Sequence, residues 1–198
     1  MHRTSPFTPW TVSWLLAMAF CCAGLAAAIT LLNLGGRAIM AEGGFVATGG
    51  PYEIAHPAPG WVPLMPLSIL SGFALGGWSL HLSRRTGGFS LLGAVWAALF
   101  ISLGVQFGSM ALHPPGGDGI AWGWMICAIV FIPMGVAGGL ASRGLINAVD
   151  WPIAYGWPRQ RARPYEDARY RIAYAMAVLC GAALGIWGAV ALFARLAG

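Results

Sequence analysis

Glu42, Glu53, His56, His113 and Asp118 fall in two polar interruptions between long apolar runs. Imidazole and carboxylate together suit a divalent transition metal such as zinc, copper or iron. Glu53 and His56 lie three residues apart, so one helical turn would put both on one face, and Pro51 and Pro57 bracket that turn. Glu53, His56 and His113 are therefore the candidate metal ligands, a set that could bind, sense or pass on an ion. Their spacing matches no established ligand motif. His56, within HPAPGW, suits equally well an exposed residue in a rigid turn that aims the helix after it.

Other chemistry is poorly supplied. His81 and His113 are the only histidines at the ends of apolar runs. They belong at opposite ends of a hydrocarbon core of about 30 Å and cannot share one haem iron. Cys21, Cys22, Cys127 and Cys180 each fall inside an apolar run, without zinc-site or CxxC spacing, and read as small packing residues. All eleven basic residues are arginine, which leaves no lysine for a Schiff base or a phosphate loop. GxSxG and HExxH are both missing from the sequence, so the nucleophile elbow and the zinc-protease helix are excluded. The polar groups well inside the apolar runs are modest, among them Ser71, Ser102, Gln106 and Ser109, with Asn33 near an end. Gln106 is the most polar of them, and interhelical hydrogen bonding is its expected role.

The elements around these residues are set by composition. Hydrophobic residues make up 58% of the 198-residue chain and charged residues 9%, against about 25% charged in a soluble domain. The expectation is an all-α integral membrane protein. Five runs are long enough for the roughly 20 residues a crossing takes: 10–33, 61–82, 89–112, 120–142 and 172–194, none holding Asp, Glu, Lys or Arg. His2 and Arg3 before the first run resemble a secretory signal, with small residues at Ala26 to Ala28 for cleavage. The run exceeds the 7–15 residues of a signal core, which favours a retained first helix.

Arginine placement sets the orientation, because short Arg-rich loops stay in the cytoplasm. Arg3, Arg84 and Arg85, and the group from Arg143 to Arg171, all belong to one side by this threading. Only Arg37 and Arg195 belong to the other. The N-terminus is expected inside and the C-terminus outside, in a bacterial-type plasma membrane. The net charge of +5 then reflects threading, and nucleic acid is not an expected partner. Interfacial aromatics follow the same division, with Trp10, Trp78, Trp151, Trp157, Tyr165 and Tyr170 inside and Trp61, Trp122 and Trp124 outside. Glycine pairs at four-residue spacing, Gly72/Gly76, Gly104/Gly108, Gly135/Gly139 and Gly181/Gly185, would let helices approach closely. Pro63, Pro66 and Pro133 should bend their helices.

Two connections stand out. Residues 35–60 are Gly/Pro-rich and form either an outer cap over the bundle or a re-entrant loop between the first two helices. The inner connection, 143–171, carries six arginines against three acids. It would attract anionic lipid headgroups at roughly 1 kcal/mol per basic residue. Pro164 suits a first helical position, with Glu166 and Asp167 near the positive end of the dipole. The reading as a whole is a bundle of five transmembrane helices. It would serve as a non-enzymatic structural or accessory component that packs with copies of itself or with a membrane-complex partner. The alternative is a small-solute or metal-ion binding or transport protein with an outward Glu/His site.

Overall fold

The computed structural model describes residues 7–41, 59–86, 91–114, 119–147 and 167–197, and every regular element among them is a helix. These are α1 (Pro9–Ala41), α2 (Leu64–Thr86), α3 (Leu91–Leu112), α4 (Trp122–Asn147) and α5 (Ala168–Ala197). Four of the five, α1, α3, α4 and α5, are long and apolar enough to cross a membrane. The fifth, α2, is absent from that set. Pro66, His81 and its serines dilute the apolar content of a helix of otherwise sufficient length.

Local chemistry explains the ends. Thr8 and Thr11 cap α1 reciprocally: the Thr11 amide donates to Thr8 Oγ1 at 3.2 Å and the Thr8 amide donates to Thr11 Oγ1 at 2.8 Å. Pro9 takes the first helical position, where its missing N–H is no loss. Asp167 caps α5 through its carboxylate, which accepts from the Arg169 amide at 2.8 Å. Asp167 thus stands at the N-terminal, positive end of the helix dipole, while Pro164 and Glu166 fall outside the described residues. The turn from α3 to α4 closes where the Ala121 amide donates to the Ala111 carbonyl at 2.9 Å. Gly119 there has φ of 114°, which only glycine adopts without strain.

One boundary departs clearly from expectation. α1 does not stop at Asn33; it runs through Gly35, Gly36 and Arg37 to Ala41, so the outer connection is shorter than 35–60. Gly35 and Gly36 act as packing sites, not breakers. A Cβ on Gly35 would meet the side chains of Met65 and Trp61, and one on Gly36 would lie 3.5 Å from Gln106 Oε1. With 33 residues, α1 is about 50 Å long at 1.5 Å per residue. It outreaches a hydrocarbon core of about 30 Å.

Contacts fix the directions. Gly181 and Gly185 of α5 sit against the backbone carbonyls of Ala19 and Ala23, so α5 runs parallel to α1. Gly24 faces Leu75 and Gly35 faces Met65, which makes α2 antiparallel to α1. Ser102 of α3 meets Asn33, farther along than Leu91 and Val95, which pack on the core near the other end; α3 is therefore parallel to α1. Gly104 meets Ile132 and Gly135 meets Ile101, which sets α4 antiparallel to α3. The five described helices alternate in direction along the chain. Its main core, Leu15, Met18, Cys21, Cys22, Leu25, Leu82, Tyr170 and Tyr174, joins α1, α2 and α5.

Three of the four glycine pairs are filled from within the chain. A methyl on Gly104 would lie 2.6 Å from the Ile132 side chain, and one on Gly135 would lie 2.9 Å from the Ile101 amide nitrogen. Gly108 faces Ala128 and Gly139 faces Ala97. The Gly181/Gly185 pair holds α5 on α1. Gly72 differs: a methyl there would meet nothing within 4 Å. Pro133 lies inside α4 on an exposed position without ending the helix.

Candidate functional site

The sequence-derived ligand set is largely beyond view. Glu42, Glu53, His56 and Asp118 lie outside the described residues. His113 is described: it follows α3 directly, is exposed, and its amide donates to the Ser109 carbonyl at 3.0 Å. Among the described residues no group of three His, Cys, Asp or Glu side chains converges on one point.

His81 lies at the opposite end from His113. Its ring meets Trp14 edge-on at 6.1 Å, and the Arg85 guanidinium stands 5.6 Å over the same indole. This trio forms a cluster at the end of the bundle where Phe7 also meets Tyr170, with centroids 6.3 Å apart. Arg169 and Arg171 are on α5 beside Tyr170 in sequence, and positions 84 and 143 fall near the C-terminal ends of α2 and α4. Arg37 and Arg195 occupy the other end, where Trp61 packs on Phe193 at 5.4 Å.

Two aromatic expectations need correction. Tyr170 and Trp61 are almost fully buried; both plug gaps between helices and neither forms part of a lipid-facing belt. Tyr170 is drawn in by the α1–α5 contact, which the glycines make close. Trp61 is drawn in because the turn at residues 61–63 folds it against Gly35 and Phe193. Trp10 and Trp122 remain exposed as expected. Trp151, Trp157 and Tyr165 lie outside the described residues. The four cysteines are free, with Cys21 and Cys22 in the core, Cys127 half-buried and Cys180 exposed.

The most specific polar arrangement lies between α1 and α3. Gln106 is 8% exposed, and its Nε2 donates to the Asn33 backbone carbonyl at 2.9 Å. Asn33 Nδ2 donates to its own helix at Ile29 O, 2.9 Å, and across to Ser102 Oγ, 3.0 Å. Ser102 passes the bond on to the Leu99 carbonyl at 3.0 Å. Gln106 Oε1 is buried and has no donor among the described residues. The amide orientation follows from the bond to Asn33, since only nitrogen can donate to a carbonyl. Each interhelical bond of this kind in a membrane is worth roughly 0.6–2 kcal/mol. An unpaired buried acceptor forfeits about 1–3 kcal/mol.

Sequence reading singled out Gln106, Ser102 and Asn33 as polar groups but did not join them. Their juxtaposition depends on α1 continuing past Asn33, which the glycine pair concealed. The arrangement defines a class: a protein helical throughout its described residues, with four helices apolar enough to cross a membrane, two of which, α1 and α3, are tied by amide and hydroxyl side chains. Comparison of this chain with protein-family models, with curated proteins and with solved structures finds no match.

Proposed function

We propose that this chain is a non-enzymatic, multi-pass component of a bacterial-type plasma membrane that packs against a partner subunit or a second copy of itself. It crosses five times, with its N-terminus in the cytoplasm and its C-terminus outside. Support for the fifth crossing comes from α2's course beside α1: it is matched from Trp14–His81 at one end to Gly35–Met65 at the other. A helix so paired shares the depth of its neighbour. Support for the orientation comes from the arginines, which cluster at one end of the alternating bundle. That end would rest on anionic lipid headgroups.

The observation that carries the packing role is Gly72. The other three pairs are occupied by helices of the same chain; of the fourth, Gly76 is buried, whereas Gly72 meets nothing within 4 Å among the described residues and lies beside the exposed side chains of Ile69 and Phe73. A close-approach surface of that kind suits a helix from another chain. Light scattering on detergent-purified protein, repeated with Gly72→Leu, tests the role. The expected result is a wild-type particle heavier than its 20.8 kDa chain, reduced to the single chain in the variant with thermal stability kept. A wild-type particle already of one-chain mass removes the second copy as the occupant and leaves only a partner subunit.

A second reading, an outward metal site at Glu53, His56 and His113, rests on His113. It is exposed at the same end as Ala41 and Gly60, between which Glu53 and His56 lie in sequence. His113→Ala should then lower zinc retained by purified protein, and unchanged zinc content removes this reading.

A further inference from the structure

The helices sort into two groups by how they interlock. In one, α1 carries both α2 and α5, through Gly24 against Leu75 and Gly185 against the Ala23 carbonyl. In the other, α3 and α4 hold each other through reciprocal glycines, Gly104 against Ile132 and Gly135 against Ile101. Aromatic contacts reinforce the second group: Phe100 and Phe107 both meet Phe131, at 5.4 and 5.3 Å. Between the groups the seam is thin, running chiefly from α3 to α1 and α2. It has an apolar end, where Leu91 and Val95 touch the core, and a polar end at Asn33, Ser102 and Gln106.

We propose that these groups are two rigid bodies that rock about the Leu91–Val95 end, with Gln106 as the latch at the other end. Three observations meet in this assignment. The pivot end is held by sequence, since only residues 87–90 separate α2 from α3. The latch end is held by side-chain hydrogen bonds, which break and re-form far more readily than interlocked backbone does. The closed state is also incompletely satisfied, because Gln106 Oε1 is buried without a donor. Separation at that end would let water or a headgroup supply one, which offsets part of the cost of breaking the bonds to Asn33 and Ser102. A protein with two such states responds to anything that favours one of them.

Gly36 offers a way to bias the balance. A Cβ there would stand 3.5 Å from Gln106 Oε1, so the hydroxyl of Gly36→Ser can donate to the orphan oxygen and lock the seam. Gln106→Leu keeps the bulk and removes the latch. The experiment measures electron-spin distances in lipid nanodiscs, in a Cys127→Ala, Cys180→Ala background. One label pair spans the bodies at the exposed positions Ile129 and Leu184; a control pair stays within one body at Val105 and Ile129.

Wild type is expected to show a major and a minor interbody distance. Gln106→Leu should raise the minor component about tenfold relative to the major, within the usual span of two-state coupling. Gly36→Ser should abolish it, and neither should move the control pair. A single interbody distance untouched by either variant overturns the proposal, as does a control distance that shifts along with it. If Gln106→Leu does not fold, Gly36→Ser decides alone: loss of the minor component supports the latch, and its persistence refutes it.

Discussion

Gly185 shows how far one missing methyl can govern this molecule. Any Cβ at that position would enter the Ala23 carbonyl, which belongs to the backbone of α1 and cannot turn aside. Gly185→Ala should therefore destabilise the protein by about 1–3 kcal/mol, the usual penalty of overpacking, seen as a lower unfolding midpoint in detergent. Gly188→Ala, facing open space on the same helix, is the matched control and should leave the midpoint unchanged. Equal midpoints for the two variants would contradict the α1–α5 contact. The other consequential residue is Gln106, legible in the sequence as the most polar side chain well inside an apolar run. Its partner was not legible, since it bonds to a backbone carbonyl, and every residue carries one of those.

At the scale of the helix, apolar run length located each of the five described helices, and the differences at their ends have physical causes. Gly35 and Gly36 read as an ending because glycine is a poor helix former in water. Here they continue α1 and admit Met65, Trp61 and Gln106 to its surface. The four-residue glycine spacing was visible, but which partner each pair takes was not, because close approach depends on the order in which helices assemble. Three pairs turned inward and Gly72 did not. The α3–α4 hairpin should accordingly be the more sensitive to bulk at its glycines. Gly104→Leu is expected to abolish folded yield in size-exclusion chromatography, whereas Gly72→Leu should leave that yield intact. Loss of yield in Gly72→Leu would mean that α2 packs on that side within the chain.

For the whole molecule, the alternation of five helix directions is what unites sequence and fold. Arginine counts put the charges on one side, and the helix contacts bring Arg85, Arg169 and Arg171 to one end independently of that count. The candidate metal ligands were less tractable: three side chains on two connections say nothing of distance until the backbone between them is known. The threading also predicts an electrostatic response. Reversing Arg84 and Arg85 to Glu should weaken binding of purified protein to anionic vesicles and invert a fraction of the inserted chains, read by reporter fusions after Ala197. Reporter signal identical to wild type would count against arginine as the orienting force.

The most direct measurement is labelling of intact cells with a membrane-impermeant maleimide, using His113→Cys and Arg85→Cys in the Cys127→Ala, Cys180→Ala background. Both positions are exposed and lie at opposite ends of the bundle. The account predicts that His113→Cys labels at once and that Arg85→Cys labels only after the cells are permeabilised. Labelling of Arg85→Cys in intact cells, or of both positions alike, would contradict it.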